Sequence, residues 1–233
     1  MDDNYINLIK KDISNEEFQF FNNILNNEKN PKIEIIDFSE NNITDIDSLK
    51  YGKSNNIKKL YLHMNKISNI NVFSLVNFNH LEILNLSYNN IIDISPLNNE
   101  NLKNLEKLYL YYNLIKDISI FKSEIFKKLI RLDLSYNKIE NIKSFENAHF
   151  LNLEKLLLNN NNINNKELLN LKKFKKLIIL DLSGNNINDI GILDNLFPNL
   201  TQLFLYNNPI NLNIIKNKDI IFNFKIKLKK FIF

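Results

Sequence analysis

Cysteine is absent from this chain of 233 residues, so disulfide bonds and thiol chemistry are excluded. Secreted repeat scaffolds commonly depend on disulfide bonds, so this absence predicts an intracellular protein, cytoplasmic or nuclear. Glycine is scarce, and the 3 glycines form no phosphate-binding loop. The 3 histidines lie far apart, in different repeats. We therefore expect no enzymatic activity, no metal site and no cofactor.

Long apolar runs are missing as well. No stretch approaches the roughly 18 uncharged apolar residues that a membrane span needs. The first residues, MDDNYINLIKKDIS, have neither the basic region nor the apolar region of a signal peptide. The 30 basic and 26 acidic residues give a net charge of +4, which is too balanced to indicate a polyanionic partner. We therefore predict neither nucleic-acid binding nor membrane binding.

The chain does contain a repeat. The frame L-x-x-L-x-L-x-x-N-x-I occurs eight times, starting at residues 33, 57, 81, 105, 129, 153, 177 and 200. The alternating residues L-x-L predict a strand with one buried face. A period of about 24 residues accommodates one strand and one return segment, so stacked repeats would build a parallel sheet. No single repeat could bury its own leucines.

This frame resembles the leucine-rich repeat family over residues 33–210. After the asparagine most repeats continue as I-x-x-I-x-x-[LF], for example ITDIDSL from Ile43 and IENIKSF from Ile139. That continuation is similar to the intracellular subclass typified by a regulatory subunit of a serine/threonine protein phosphatase. The resemblance implies an α/β solenoid: a curved horseshoe with a parallel β-sheet on its concave face and short helical or irregular convex segments.

The two ends of a solenoid expose its core, so both ends need caps. We predict a helical N-terminal cap over residues 1–32, because Ser14 and Glu17 form a capping box before Phe18, Phe21 and Leu25. An amphipathic helix that binds a partner is the alternative interpretation of this segment. Residues 211–233 resemble a C-terminal cap, with a helix followed by a degenerate strand. The chain would then form one continuous domain.

The asparagine of the frame stands where the chain leaves the strand and turns. Backbone groups at such a turn would be buried without partners unless a side-chain amide supplied them. We therefore predict an asparagine ladder along the solenoid. Its members are Asn41, Asn65, Asn89, Asn113, Asn137, Asn161, Asn185 and Asn208.

Frame positions 3, 5 and 7 should face the concave side, with positions 2 and 8 at its margins. Most of the 9 tyrosines fall at these positions, and Tyr88, Tyr112 and Tyr136 share position 8 on successive repeats. Tyrosine is favoured in strands, and stacked rings could simply stiffen the sheet. Exposed aromatic side chains are also typical anchors of interfaces, which is the interpretation that we favour. The predicted partner-binding residues are Tyr61, His63, Tyr88, Tyr109, Tyr111, Tyr112, Arg131, Asp133, Tyr136, Phe204 and Tyr206.

Charged residues on the predicted concave face indicate the kind of partner. Acidic residues outnumber basic ones there, so a protein ligand with a basic or mixed surface fits better than nucleic acid. His63, beside Tyr61, is interpreted as a contact residue rather than a base. We place the centre of the binding surface at Tyr109, Tyr111, Tyr112 and Arg131.

We interpret the chain as a non-catalytic scaffold that binds a protein partner on its concave face and is monomeric when free. The subclass resemblance implies one alternative, a regulatory subunit whose partner is the catalytic subunit of a serine/threonine phosphatase. Other relatives imply an adaptor in splicing particles or on axonemal or cytoskeletal motors. Two further alternatives are a cell-surface recognition module and nucleic-acid binding through the lysine-rich residues 225–230. The sequence features that support them are weaker than the tyrosine pattern.

Overall fold

The computed structural model describes residues 4–19, 33–51, 56–193 and 196–232. In this part of the chain, ten strands form one parallel sheet in sequential order, which with the repeat gives a leucine-rich repeat horseshoe. The strands are β1 (Tyr5–Asn7), β2 (Ile35–Asp37), β3 (Lys59–Tyr61), β4 (Ile83–Asn85), β5 (Lys107–Tyr109), β6 (Arg131–Asp133), β7 (Lys155–Leu157), β8 (Ile179–Asp181), β9 (Gln202–Phe204) and β10 (Lys230–Ile232).

Each strand from β2 to β9 covers frame positions 3 to 5. The leucines at positions 4 and 6 point into the core, and in the fifth repeat both Leu132 and Leu134 are fully buried. Burial of one such side chain contributes about 1.5–3 kcal/mol. Neighbouring strands pair without stagger, so Leu132 lies opposite Leu156 of the next repeat. Every frame position therefore forms a row that runs across the sheet.

The return segments are 3-10 helices connected by irregular chain. Their bounds in the described residues are Asp47–Tyr51, Asn71–Ser74, Ser95–Leu97, Glu100–Leu102, Ser119–Lys122, Glu124–Lys128, Lys143–Asn147, Asn165–Leu171 and Gly191–Leu193. The I-x-x-I-x-x-[LF] residues pack beneath them: Ile115, Ile118 and Phe121 are buried. Phe121 contacts Phe145 of the next repeat, with ring centroids 5.9 Å apart. These segments therefore complete the core on the convex side.

The N-terminal segment differs from the predicted helical cap. Residues 4–13 continue the sheet: β1 pairs with β2, and the Leu8 N–H donates to the Asp37 carbonyl at 2.9 Å. Ile6 and Leu8 pack against the core in the places of position 4 and position 6 leucines. The segment is therefore a degenerate repeat, because its apolar spacing fits the first strand better than a helix.

The capping box predicted at Ser14 does occur. The Ser14 N–H donates to Glu17 Oε2 at 2.8 Å, and the Glu17 N–H donates to Ser14 Oγ at 3.3 Å. Residues 15–19 are helical, and Phe18 is buried against Phe38 with ring centroids 4.8 Å apart. Phe21 and Leu25 lie outside the described residues. The helical part of the N-terminal prediction is thus seen over residues 15–19 of the described chain.

The C-terminal segment contains an α-helix, Ile215–Lys227, followed by β10. This is the order that the sequence predicts. Asn217 of this helix is fully buried, and its Oδ1 accepts a hydrogen bond from the Ile190 N–H at 3.1 Å. The helix thereby satisfies a backbone group of the seventh repeat. No helix in the described ranges is long and apolar enough to cross a membrane.

Candidate functional site

The frame asparagines link each repeat to the one before it. Asn137 Oδ1 accepts from the Ile115 N–H of the preceding repeat at 2.9 Å. Its Nδ2 donates to the Leu110 carbonyl of that repeat at 3.0 Å and to the Leu134 carbonyl of its own at 3.1 Å. The same two bonds to the preceding segment are made by all ladder members, which are Asn41, Asn65, Asn89, Asn113, Asn137, Asn161, Asn185 and Asn208.

The residue just before each ladder asparagine has a left-handed backbone. In all eight repeats φ at position 8 lies between 51° and 62°. Asparagine and glycine tolerate this conformation, and the last three repeats have Asn160, Gly184 and Asn207 there. A left-handed backbone costs most other residues about 1–2 kcal/mol. Alternation of side chains in the sequence did not predict this conformation.

Tyr88, Tyr112 and Tyr136 occupy position 8 of three successive repeats, and we call them the tyrosine column. Their rings stack: the Tyr88 and Tyr112 centroids lie 4.4 Å apart, and those of Tyr112 and Tyr136 lie 4.3 Å apart. Each side chain remains about 40% exposed. The column therefore presents a continuous aromatic edge to solvent.

Two tyrosines of β5 and the turn after it extend this aromatic surface. The Tyr111 ring meets the Tyr88 ring edge to face at 5.1 Å, and Tyr111 is half-buried. Burial raises the pKa of the Tyr111 hydroxyl, so this group is an uncharged hydrogen-bonding group at neutral pH. Tyr109, at position 5, is also half-buried. Tyr111 thus connects the column to the end of β5.

Arg131 lies next to this aromatic surface. Its guanidinium carbon is 5.0 Å from the centre of the Tyr109 ring, and Nη2 is 3.6 Å from Asp133 Oδ2. The ring and the carboxylate hold the guanidinium in one orientation. Arg131 Nε is buried, and the described residues provide no hydrogen-bond acceptor for it. The structure therefore brings together Tyr109, Tyr111, Tyr112 and Arg131, the predicted centre of the surface.

Asp133 does not have the exposure that its frame position predicts. Only 6% of it is accessible, and its Oδ1 accepts from the Ser135 N–H at 3.2 Å and from Ser135 Oγ at 2.6 Å. Burial raises the pKa of the Asp133 carboxyl, although the bonds from Ser135 partly oppose the shift. The same bonds join Asp37 to Ser39 and Asp181 to Ser183. In the sequence, the triplet DFS at residues 37–39 and the triplet DLS at residues 133–135 and 181–183 indicate these turns.

The other predicted contact residues lie outside the three repeats that carry the column. Tyr61 and His63 form an edge-to-face pair at 6.4 Å near the N-terminal end of the sheet. Burial lowers the pKa of His63. Phe204 packs under Lys230, whose Nζ is 5.1 Å from the ring centre, and Tyr206 is exposed nearby in the eighth repeat. The strand of this pair is the third along the sheet from that of Tyr136.

The acidic residues of the concave face are less available to a ligand than the count of charged residues in the sequence predicts. Asp37 and Asp133 are buried, and Asp181 bonds to Ser183. Two glutamates are neutralised by lysines: Glu34 lies 2.9 Å from Lys58, and Glu40 lies 2.7 Å from Lys10. Five of the eight acidic residues of this face therefore already have a partner within the protein. A basic ligand is no longer favoured by charge alone.

Comparison with known proteins agrees with the repeat. The family model described as Leucine Rich repeats (2 copies) matches residues 79–123, and a second, Leucine Rich repeat, matches residues 29–46 and 175–193. None of the curated proteins that were compared matches the chain. Leucine-rich repeat folds typically serve as non-catalytic scaffolds for protein binding.

Solved structures show the same fold. An internalin C2 from Listeria monocytogenes has 24% identity and a TM-score of 0.68, with 88% of this chain and 80% of that chain covered. A leucine-rich repeat protein of Leptospira interrogans has 23% identity and a TM-score of 0.67 over 94% of this chain and 57% of its own.

A plant peptide hormone receptor, RGFR1 in complex with RGF2, has 25% identity and a TM-score of 0.59 over 76% of this chain. Only 29% of the receptor chain is covered. The eightfold frame, the parallel sheet and the family-model matches together support the assignment of this chain to the leucine-rich repeat family.

Proposed function

We propose that the chain is a scaffold whose protein partner binds on the concave face, across the tyrosine column, Tyr109 and Tyr111. One observation carries this proposal: three successive tyrosines are held in a left-handed backbone and stacked with their edges exposed. Asparagine would fit the same backbone at lower cost, as it does in the sixth and eighth repeats. Stability of the turn therefore does not explain the tyrosines.

Stacking recovers only part of the conformational cost. An aromatic pair contributes about 0.5–1.5 kcal/mol beyond burial, and the column has two such pairs for three left-handed residues. Two pairs contribute about 1–3 kcal/mol, against about 3–6 kcal/mol for three left-handed residues, so the rings do not offset the conformational cost. Rigid, half-exposed tyrosines are instead the side chains that interfaces favour as anchors. This balance supports a binding role for the column.

The test replaces the column with residues that the fold already accepts. The column variant carries Tyr88→Asn, Tyr112→Asn and Tyr136→Asn. A matched control carries Leu75→Asn, Ile92→Asn and Leu151→Asn, which removes exposed apolar side chains outside the strands. Proteins retained from a cell lysate by the wild type are identified by mass spectrometry, and the affinity of each purified partner is then measured by calorimetry.

We expect the column variant to bind the partner at least about tenfold more weakly, because several anchor residues are lost together. The control variant should bind like the wild type, and circular dichroism should show the same fold for all three proteins. An unchanged affinity of the column variant would contradict the proposal. A loss that is equal in both variants would place the binding surface elsewhere.

A regulatory subunit of a serine/threonine phosphatase is the second candidate, supported by the I-x-x-I-x-x-[LF] segments. Ile115, Ile118 and Phe121 of one such segment are buried, so these residues build the core and are not available to contact a partner. The partner identification above tests this candidate directly, since a phosphatase catalytic subunit would be retained by the wild type. The absence of cysteine supports an intracellular setting for either function, in the cytoplasm or nucleus.

A further inference from the structure

Three positive residues form a basic row on the concave face: Lys107, Arg131 and Lys155. They occupy position 3 of β5, β6 and β7, and the register pairs Lys107 with Arg131 and Arg131 with Lys155. Neighbouring strands lie about 4.8 Å apart, so the three charges span about 10 Å. Like charges opposite each other on adjacent strands destabilise a sheet. The row is therefore a feature that the fold itself does not favour.

The protein provides little to neutralise this row. In the described part of the chain, neither Lys107 nor Lys155 has a carboxylate within 4.0 Å, and neither ammonium group has a hydrogen-bond acceptor. Arg131 has one carboxylate, Asp133, and that group is already bonded to Ser135. Most of the donor groups of the row remain available to a ligand.

The nearby glutamates do not change this balance. Glu106 and Glu154 precede Lys107 and Lys155 directly and stand at position 2, at the margin of the concave face, just before the strands begin. Among the residues that the structure describes, neither glutamate pairs with a base. The row therefore keeps its positive charge on the side that also carries Tyr109.

We infer that the concave-face partner presents an acidic segment, whose carboxylates bind the basic row while its apolar side chains contact Tyr109 and the tyrosine column. The inference rests on the proposed function, because it names the chemistry of the partner at the same surface. Arginine binds carboxylates with two parallel hydrogen bonds, and Tyr109 and Asp133 already orient this guanidinium. The two lysines extend the carboxylate site along the sheet.

The test uses a phage library of random twelve-residue peptides, selected on the folded full-length protein. The row variant carries Lys107→Gln, Arg131→Gln and Lys155→Gln, because Gln202 occupies the same frame position in the eighth repeat. A matched control carries Lys116→Gln, Lys138→Gln and Lys143→Gln, three lysines that line a groove of about 580 Å³ outside the sheet. Affinities of synthetic selected peptides are measured by fluorescence anisotropy on the wild type and on the row, control and column variants.

We expect the selected peptides to be enriched in Asp and Glu relative to the unselected library. Replacement of their Glu by Gln, and of their Asp by Asn, should weaken binding about tenfold or more, because charge-assisted hydrogen bonds are lost. The row variant should show a similar loss, whereas the control variant should bind like the wild type. A twelve-nucleotide single-stranded RNA serves as the second probe and should bind more weakly than the peptides.

The other outcomes separate the two proposals. The selected peptides could depend on the column, show no acidic excess and bind the row variant normally. This result would overturn the inference and leave the proposed function intact. Selection of no peptide that depends on the column would overturn both. RNA that binds the row more tightly than the peptides would replace the acidic segment with a nucleic acid. An equal loss in the row and control variants would mean that the attraction is unspecific and would overturn the inference.

Discussion

At the scale of the residue, each ladder asparagine joins two repeats through bonds that nothing else in the turn can make. Asn137 satisfies the N–H of Ile115 and the carbonyls of Leu110 and Leu134 while it is almost completely buried. An apolar side chain of similar size would leave these groups without partners. The asparagine is therefore a structural residue, although a polar residue in an apolar frame can resemble a functional one.

We expect Asn137→Leu to lower the free energy of unfolding by roughly 1–3 kcal/mol, since buried polar groups lose their hydrogen bonds. Urea denaturation followed by circular dichroism measures the change. Lys138→Ala is the control, because Lys138 is exposed and only its backbone N–H bonds to Ile115. Equal midpoints for the two variants would rule out a structural role of the Asn137 amide.

Asp133 gives a prediction about pH. Burial raises its pKa in the folded protein above the unfolded value, so the folded state holds the proton more strongly. Stability should therefore fall as pH rises from below the unfolded pKa through the folded pKa. Asp133→Asn should make this fall smaller, because Asn85 shows that an amide also accepts the serine N–H. Asp181, whose pKa burial also raises, accounts for a remaining part. Urea midpoints of wild type and variant, measured from pH 3 to pH 8, test the prediction.

Ser135→Ala should increase the loss of stability with rising pH, whereas Asp133→Asn should decrease it. The Ser135 hydroxyl donates to Asp133 and stabilises its charged form, which partly opposes the effect of burial. Without this bond the folded-state pKa should rise further, and the loss of stability with pH should become steeper. A pH profile of Ser135→Ala that is flatter than the wild-type profile would contradict this account.

Individual residues of the site were predictable where the repeat frame decides their place. The frame placed Tyr88, Tyr112 and Tyr136 in one row because identical positions of stacked repeats align. The frame could not show that Asp133 turns back onto Ser135, because alternation carries no information about local hydrogen bonds. It also could not show the contact between Arg131 and Tyr109, which joins different repeats and depends on side-chain conformation.

At the scale of the element, β1 is the strand that the sequence did not predict. Its segment keeps apolar residues at the core positions, Ile6, Leu8 and Ile13, but has Lys11 where the other repeats have the asparagine. Asn41 bonds to the Lys11 and Ile13 N–H groups.

The pairing of β1 predicts slow hydrogen exchange in the N-terminal segment. Leu8 and Lys10 donate their backbone N–H groups to Asp37 and Ser39, so these amides should be protected. Native-state hydrogen exchange observed by NMR measures this protection. In Leu8→Asp the strand loses an apolar contact, and the same amides should exchange faster while the amides of β5 and β6 keep their wild-type rates. Rapid exchange at Leu8 and Lys10 in the wild type would mean that β1 is not formed.

At the scale of the whole molecule, each repeat contacts mainly its two neighbours, so the effect of a substitution should depend on its place in the array. Leu132 and Leu203 occupy the same frame position and are both fully buried, the first in a central repeat and the second in the last. Either Leu→Ala change should cost about 2–5 kcal/mol locally. Their consequences for cooperativity should nevertheless differ.

We expect Leu132→Ala to lower the urea midpoint of the whole chain, because the central repeat couples both halves. Leu203→Ala should let the C-terminal repeats unfold first, which gives a broader transition with a smaller denaturant dependence. Circular dichroism records the transition, and hydrogen exchange identifies the segment that opens. Superimposable transitions for the two variants would show that the solenoid unfolds as one indivisible unit.

The strands pair without stagger from β1 to β10. The concave face is therefore a regular grid. Each frame position forms a row across the strands, and each repeat contributes one strand. The separation of any two side chains in a row is a whole number of strand spacings, about 4.8 Å each. Deleting or duplicating one repeat would change that separation by a single step and leave the rest of the pattern intact. The number of repeats between two binding residues therefore fixes the distance between their contacts with a partner.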